Sequence, residues 1–428
     1  MPLTEQRYDV VIIGGGLVGA SAALMLRRQL PDHASLLVVE ATGHRVSPQG
    51  GPEFAPDFDV RTTALSQGSQ QLYERLGLWP GLAPDATPIH TIHVSDRSHM
   101  GAVTLDRADA GVDALGQVVE NRCLGTTLLK AVMAEEGITW LAPAVTGKIT
   151  PVPSGMRLSV RTGETSSEEG AGEEGESGET EERHIEAGLV ILADGGRSTL
   201  CGQLGITQQC TEYDQQAVVA NVGFRQPHEN RAFERFTDTG PLALLPLSSW
   251  EGMARAALIW TQPREQAGEL LAMPESDFLE ALQQRFGHRL GTFLQCGQRH
   301  GFPLQLTQAR EQIRPGLVLL GNVAHTLHPV AGQGLNLALR DAAALAETVG
   351  RAMEAGRSPG KMSVLQEYNA QRQQDQQRTI AFSHHLVGLF SGAGVMKRWT
   401  RRFGLFSIDL LPPVRRPFVR AAMGLTGR

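Results

Sequence analysis

Residues 8–13 (YDVVII) form a short β-branched apolar run, and the Ala/Leu-rich stretch 20–30 that follows has the composition and spacing of a helix. A second strand pattern, 35–39, ends in Glu40. The first forty residues therefore predict a parallel βαβ unit. Further apolar runs of strand length lie far downstream, at 188–193 and 317–320, each ending in a glycine-containing turn. Residues 337–354 carry a strong helical pattern, whereas 217–224, 241–247 and 254–260 predict strands of a separate sheet. Residues 156–160 and 189–192 predict a hairpin with a long insertion.

Length and composition narrow the class. At 428 residues the chain is roughly three times a common domain of about 150 residues, so two intertwined or consecutive domains are expected. With 41% hydrophobic and 20% charged residues, and no apolar run near the 18 or so that a membrane helix needs, it has a globular composition. The start, MPLTEQRYDVVIIGG, lacks the features of a secretory signal, and a cytoplasmic location is expected. Cys123, Cys201, Cys210 and Cys296 are scattered with no C-x-x-C pair, which argues against a metal ribbon, an iron–sulfur cluster or a disulfide framework. No metal site is expected.

The net charge of −6 is local in origin. Residues 164–182 hold nine glutamates and no Lys or Arg, leaving +3 for the remainder. Composed almost entirely of Gly, Ser, Thr and Glu, this stretch is expected to be a disordered acidic insert, 163–183, within the hairpin. Residues 395–428 are the opposite, with eight Lys/Arg against Asp409 and interleaved Trp399, Phe403, Phe406 and Phe418. Such a segment can lie on an anionic membrane surface or pack on the protein itself as amphipathic helices, and both readings stay open. The mildly acidic chain carries no recognition motif for nucleic acid, and none is expected as a partner.

The glycine-punctuated turns carry the chemistry. Between strand 8–13 and helix 20–30 lies Gly14-Gly15-Gly16-Leu17-Val18-Gly19, in the context that G-x-G-x-x-G requires. Gly14 permits the turn, Gly16 lets a pyrophosphate approach, Gly19 lets helix and strand pack closely, and Glu40 can bond an adenosine ribose. Asp194-Gly195 after strand 188–193 and Gly321-Asn322 after strand 317–320 supply further turns. These exceed what NAD needs, whereas FAD is long enough to require separate contacts at pyrophosphate, ribityl chain and ring.

Together with the Asp59-x-Arg61-x-x-Ala64-Leu65 segment and the stretch Pro329-Val-Ala-Gly332-Gln333-Gly334-Leu-Asn336, these turns resemble the FAD-dependent aromatic-ring monooxygenases of the para-hydroxybenzoate hydroxylase type. Residues 93–97, 115–120, 231–236, 240–242 and 321–329 are similar to the ubiquinone-biosynthesis hydroxylases within that family. The resemblance spans nearly the whole chain. It implies an α/β fold: a Rossmann-like FAD-binding domain of 1–80, 115–213 and 300–355 interleaved with a β-sheet substrate domain of 81–114 and 214–299. C-terminal helices, 356–428, complete it.

The resemblance further implies cofactor-binding roles for Gly14, Gly16, Gly19, Glu40, Arg61, Gln117, Arg122, Asp194, Gly195, Asn322, Gly332, Gln333, Gly334 and Asn336. A surface ion pair with Asp59 is the alternative for Arg61, and a solvated helix face for Arg122. Where the family usually has Asp this chain has Asn322, which keeps an acceptor oxygen for a ribityl hydroxyl and adds a donor. Pro329 matches the family residue whose carbonyl faces the reacting hydroxyl, His328 is a candidate catalytic base, and His325 is expected to pack structurally. The amides opening helix 337–354 are expected to favour negative charge on the reduced ring.

The implied reaction is reduction of FAD by NADPH or NADH bound transiently, reaction with O2 at flavin C4a, and transfer of one oxygen atom to a polyprenylated phenol. Partners implied are that phenol, O2 and other proteins of ubiquinone biosynthesis, with peripheral contact at the inner face of the cytoplasmic membrane. A flavin reductase or dehydrogenase of a prenyl lipid shares the same cofactor turns, and a non-catalytic flavin-bearing scaffold is a third reading. Product mass and substrate-dependent NAD(P)H consumption separate them.

Overall fold

The computed structural model describes residues 6–43, 61–96, 102–162, 181–196, 198–327 and 332–390. The acidic insert apart from residues 181–183, and the basic segment 395–428, lie outside them, as do Asp59, His328 and Pro329.

Four neighbouring strands, Ile138–Leu141, Leu36–Val39, Gln6–Ile13 and Glu181–Leu192, run parallel, and Leu317–Leu319 extends the parallel set beyond Glu181–Leu192. Alternation along them sorts side chains into two layers. Val10, Ile12, Leu36, Val38, Leu189 and Ile191 face helices Leu17–Gln29, Asn121–Ala134 and Gln333–Glu354. Val11, Ile13, Leu37, Val39, Val190 and Leu192 face the other way, into a layer with Met156, Leu158, Leu200 and Ile206. Burial on both faces is why Val10–Ile13, Leu36–Val39 and Leu189–Leu192 are apolar without a break. Each fully buried Val, Leu or Ile contributes about 1.5–3 kcal/mol.

The expected hairpin forms between Gly155–Thr162 and Glu181–Leu192, with Met156 opposite Ala187 and Thr162 opposite Glu181. The insert therefore connects two strand ends that are already paired, at the edge of the element that carries it.

A second sheet runs in the order His325–Thr326, His300–Ala309, Gln208–Phe224, Met253–Pro263, Pro241–Trp250, Arg231–Phe236, Thr91–Asp96, Ala102–Asp106. It is antiparallel except where Arg231–Phe236 meets Thr91–Asp96. Its outer face holds Phe233, Leu244, Leu258 and Trp260 under helices Arg264–Ala272 and Glu275–Phe286. Its inner face places Ala232, Leu247 and Ala257 against Ile89, Leu115 and Val118. Ile89 and Val118 belong to a three-stranded sheet of Thr62–Ser66, Gly116–Glu120 and Thr87–Ile89, which lies between the two large layers.

One charged contact locks this junction. Arg255, 3% exposed, donates to Glu120 Oε1 at 2.6 Å and to the Ser248 carbonyl at 2.8 Å, with its guanidinium 5.4 Å from the Trp250 ring centre. Removing the acid leaves an uncompensated buried cation. We expect Glu120→Ala to lower unfolding free energy by about 3 kcal/mol in urea denaturation, with Arg255→Met restoring most of it in the double variant. A loss below about 1 kcal/mol in the single variant would show that the pair does not hold the layers together.

Candidate functional site

Strands Gln6–Ile13, Leu36–Val39, Glu181–Leu192 and Leu317–Leu319 all release their chains at one edge of the parallel sheet, the edge where α/β sheets bind ligands. Gly14 leaves the first strand with φ +98°, its N–H donating to the Val39 carbonyl at 2.8 Å. A Cβ on Gly14 would sit 2.6 Å from the Ala193 carbonyl oxygen, and one on Gly19 only 1.8 Å from that of Gly14. Both positions demand glycine because backbone meets backbone there. Gly16 caps helix Leu17–Gln29 with no side-chain acceptor, and a Cβ on it would meet nothing within 4 Å. The first-turn amides of this helix thus face open space with the positive end of the dipole, a seat for a phosphate group.

The remaining turns close around that seat. Glu40 Oε2 accepts from the Gly15 N–H at 2.5 Å and Oε1 from the Thr42 N–H at 2.8 Å. Two of the carboxylate's four lone-pair sites are thereby used and two remain for ribose hydroxyls. Asp194 and Gly195 follow the central strand, Gly195 with φ +93° and an open Cβ direction. Crowding by protein pushes the Asp194 pKa upward, against a hydrogen bond from Ser198, although the carboxyl still reaches solvent. A Cβ on Gly321 would lie 3.1 Å from Val18 of the first helix, and one on Gly196 lies 3.6 Å from Asn322 Cβ. The Asn322 side chain is exposed, while its carbonyl accepts from Thr326 Oγ1 at 2.9 Å.

Gly332, in the left-handed region at φ +58°, caps helix Gln333–Glu354, which starts four residues before the expected 337. Gln333 is buried and Gly334 has open space beside it. Asn336 is taken up by protein: its Oδ1 accepts from Ser66 N at 2.8 Å and Ser69 Oγ at 2.7 Å. Its Nδ2 donates to the Ala64 and Gly332 carbonyls, both at 2.8 Å. It acts by clamping the helix start to strand Thr62–Ser66.

Gln117 and Arg122 stand on and just after the middle strand of the small sheet. Gln117 Nε2 donates to Gln70 Oε1 at 3.3 Å, and Arg122 lies 3.4 Å from Glu120, joining the Arg255 contact. The Arg61 side chain is exposed. His325 is 2% exposed, its Nε2 is 3.5 Å from Asp341, and burial lowers its pKa. The described residues accordingly bring Gly14, Gly16, Gly19, Glu40, Asp194, Gly195 and Asn322 to one edge, with the Gly332–Asn336 turn and Gln117 on adjoining elements.

This arrangement fits FAD: an open, uncapped helix start for pyrophosphate, a carboxylate with free lone pairs, and a second uncapped helix start with room at Gly334. The fold and this edge define a flavoprotein of the monooxygenase class. Over residues 7–383 the chain matches the family described as FAD binding domain, and it belongs to that family, with FAD as cofactor. Ubiquinone hydroxylase UbiL of Rhodospirillum rubrum is 33% identical over 97% of this chain and 89% of its own length. 3-Demethoxyubiquinol 3-hydroxylase of Escherichia coli is 28% identical over 99% of this chain and all of its own. The structure of p-nitrophenol 4-monooxygenase PnpA from Pseudomonas putida, 18% identical, shares the fold with a TM-score of 0.74, covering 99% of this chain and 100% of that one.

Sequence reasoning missed Glu120 and Arg255, and the clamping role of Asn336, because each depends on a partner far away in the chain. It also passed over Glu234, whose signal was available: a carboxylate in phase with Ala232 and Phe236 on an alternating strand.

The open direction at Gly16 gives a test that separates fold from cofactor. Gly16 has φ −64°, which any residue adopts. Gly16→Ala should leave the melting temperature of the flavin-free protein unchanged and weaken FAD binding at least tenfold, measured by recovery of flavin fluorescence on dilution. Undiminished FAD affinity would remove Gly16 from the cofactor seat.

Proposed function

We propose that the protein hydroxylates the aromatic ring of a polyprenylated phenol in ubiquinone biosynthesis, of the 2-octaprenyl-6-methoxyphenol type, using O2 and NADPH or NADH. What supports this reading is the gathering of glycine turns and an uncapped helix start at one edge of the parallel sheet, together with a second sheet whose inner face is largely apolar, in a chain that aligns end to end with ubiquinone hydroxylases. Bound FAD supplies the redox chemistry linking NAD(P)H, O2 and the ring.

The chain's own residues bind, orient and exclude water. The amides opening Leu17–Gln29 hold the pyrophosphate and Glu40 the ribose; Asp194, Gly195 and Asn322 hold the next part of the cofactor. Those opening Gln333–Glu354 would favour negative charge on the bound ring, with Asn336 fixing the helix start and Gly334 leaving open space beside it. Arg61, Gln117 and Arg122, on or next to strands of the small sheet, would contact the cofactor, and Pro329 and His328 would orient the reacting hydroxyl. The inner sheet face excludes water around the ring.

In this reading residues 1–80, 115–213 and 300–355 bind the cofactor, and 81–114 with 214–299 bind the substrate. No described helix is long and apolar enough to cross a membrane. The basic, apolar segment 395–428 brings the protein to the inner face of the cytoplasmic membrane, or to other enzymes of the pathway, where a prenylated substrate resides.

The test is turnover of a short-chain prenylated methoxyphenol by the purified holoenzyme under 18O2. Substrate-dependent NAD(P)H oxidation and a product heavier by one 18O atom are expected, and fragmentation of that product gives the ring position. NAD(P)H oxidation with no label in an altered lipid would instead establish a reductase.

A further inference from the structure

The inner face of the second sheet carries one carboxylate that the fold leaves alone. In strand Arg231–Phe236, Phe233 points into the outer layer, with its ring 5.3 Å from that of Phe286. Ala232 points inward, against Ile89 and Val118 of the small sheet. Glu234, two residues beyond Ala232, therefore shares the inner face, on the side of the small sheet. Its neighbours in register are Val94 on one flanking strand and Ala243 on the other, and Ala243 in turn pairs with Ile259. All are apolar.

Among the described residues no hydrogen bond or ion pair engages the Glu234 carboxyl. The charged group on this face nearest in register is Asp96, opposite Phe236 on the flanking strand; across the junction, Glu120 is engaged by Arg122 and Arg255. Pro241, Ala243 and Leu245 face it from one side and Val103 lies beyond Val94 on the other. Among the described residues no cation offsets its charge. Burial alone pushes its pKa from 4.5 up to about 7, while the residue stays partly exposed. An unmatched acid on a largely apolar, partly exposed wall is explained when its partner is a ligand.

We propose that Glu234 is the carboxylate that takes the hydroxyl proton of the bound phenol. The proposal rests on the phenolic substrate reading above. The phenol O–H bond breaks and an O–H bond forms on Glu234; the electron pair stays on the phenol oxygen and spreads to the ring carbons ortho and para to it. No electron is gained or lost in this step, and NAD(P)H and O2 supply the redox change of the hydroxylation. Protonated Glu234 is then neutral and donates a hydrogen bond to the phenolate, holding the ring in its electron-rich form.

The test uses holoenzyme of wild type, Glu234→Gln and Glu234→Asp with a short-chain prenylated methoxyphenol carrying 13C at the phenol carbon. In wild type the oxygen-transfer rate should rise with pH through about 7, where the carboxylate becomes ionised and able to accept, and the 13C shift of the bound phenol should follow the same transition. Glu234→Gln should slow neutral-pH turnover by about a hundredfold or more, with the deficit shrinking as pH approaches the phenol's own pKa, and should abolish that 13C transition. Glu234→Asp should retain part of the rate and the transition.

A structural readout needs no substrate. A folded-state pKa above the unfolded value means stability is greatest at acid pH and declines as pH rises from about 4.5 to 7. The wild-type melting temperature should fall over that range relative to Glu234→Gln. Binding of the labelled phenol with wild-type rate, pH profile and 13C behaviour in Glu234→Gln would overturn the proposal and leave the substrate reading standing. Failure of the wild-type holoenzyme to bind the phenol would overturn the substrate reading, and the proposal with it.

Discussion

The contact between Gly19 and the Gly14 carbonyl is the constraint from which the cofactor edge follows. A side chain at Gly19 would place its first carbon 1.8 Å from that oxygen, so glycine alone lets helix Leu17–Gln29 seat directly on the end of strand Gln6–Ile13. Once seated, the helix puts Val18 against Gly321, and the turn preceding it puts Gly14 against Ala193 and the Gly15 amide within reach of Glu40. Turns that are hundreds of residues apart in the chain thus share one set of contacts. A shift of the helix by the width of a methyl group would move them all, which is why four strand ends converge with so few side chains between them.

Polar residues carry the rest of the placement. Asn336 satisfies all four of its hydrogen bonds within the protein, each worth about 1 kcal/mol net, and more is lost if one partner is left bare in the interior. Apolar packing alone would hold helix Gln333–Glu354 against the sheet but would tolerate sliding along it. The directional bonds of Asn336 fix its start relative to strand Thr62–Ser66, and the Glu120–Arg255 pair ties the same small sheet to the second one. The cofactor edge and the substrate wall are therefore referenced to a common element of three short strands.

What could be read from sequence was local in character. The βαβ unit, the downstream apolar strands and the helix beginning near Leu337 announce themselves through periodicity and glycine position, and all form, although the strand expected at 188–193 begins seven residues earlier, at Glu181, through its polar half. Strand Gln208–Phe224 was legible only from Ala217 onward, because its first half, QQCTEYDQQ, is polar and owes its conformation to pairing with His300–Ala309. The three-stranded sheet was not legible at all. Its strands are short and distant in sequence, and their affinity for one another is written in register rather than composition. The same holds for the site: glycines signal themselves, whereas Glu120 is an ordinary surface residue until Arg255 is placed beside it.

The inner wall of the second sheet makes the same point through two opposite charges. Arg255 and Glu234 both lie on this face, Arg255 buried and Glu234 partly exposed, and the fold treats them differently. Arg255 receives a carboxylate, a carbonyl and an aromatic ring, so its charge is compensated before any ligand arrives. Glu234 receives alanine, valine and isoleucine neighbours. The Glu234 carboxyl meets no hydrogen-bond donor among the described residues, whereas Asn336 has all four of its bonds met. The desolvation that makes Glu234 unfavourable for folding also sets it near neutrality, where a carboxyl group can both accept a proton and return it. Local destabilisation and chemical readiness here come from one cause, a carboxylate that has apolar partners in register and no paired cation among the described residues.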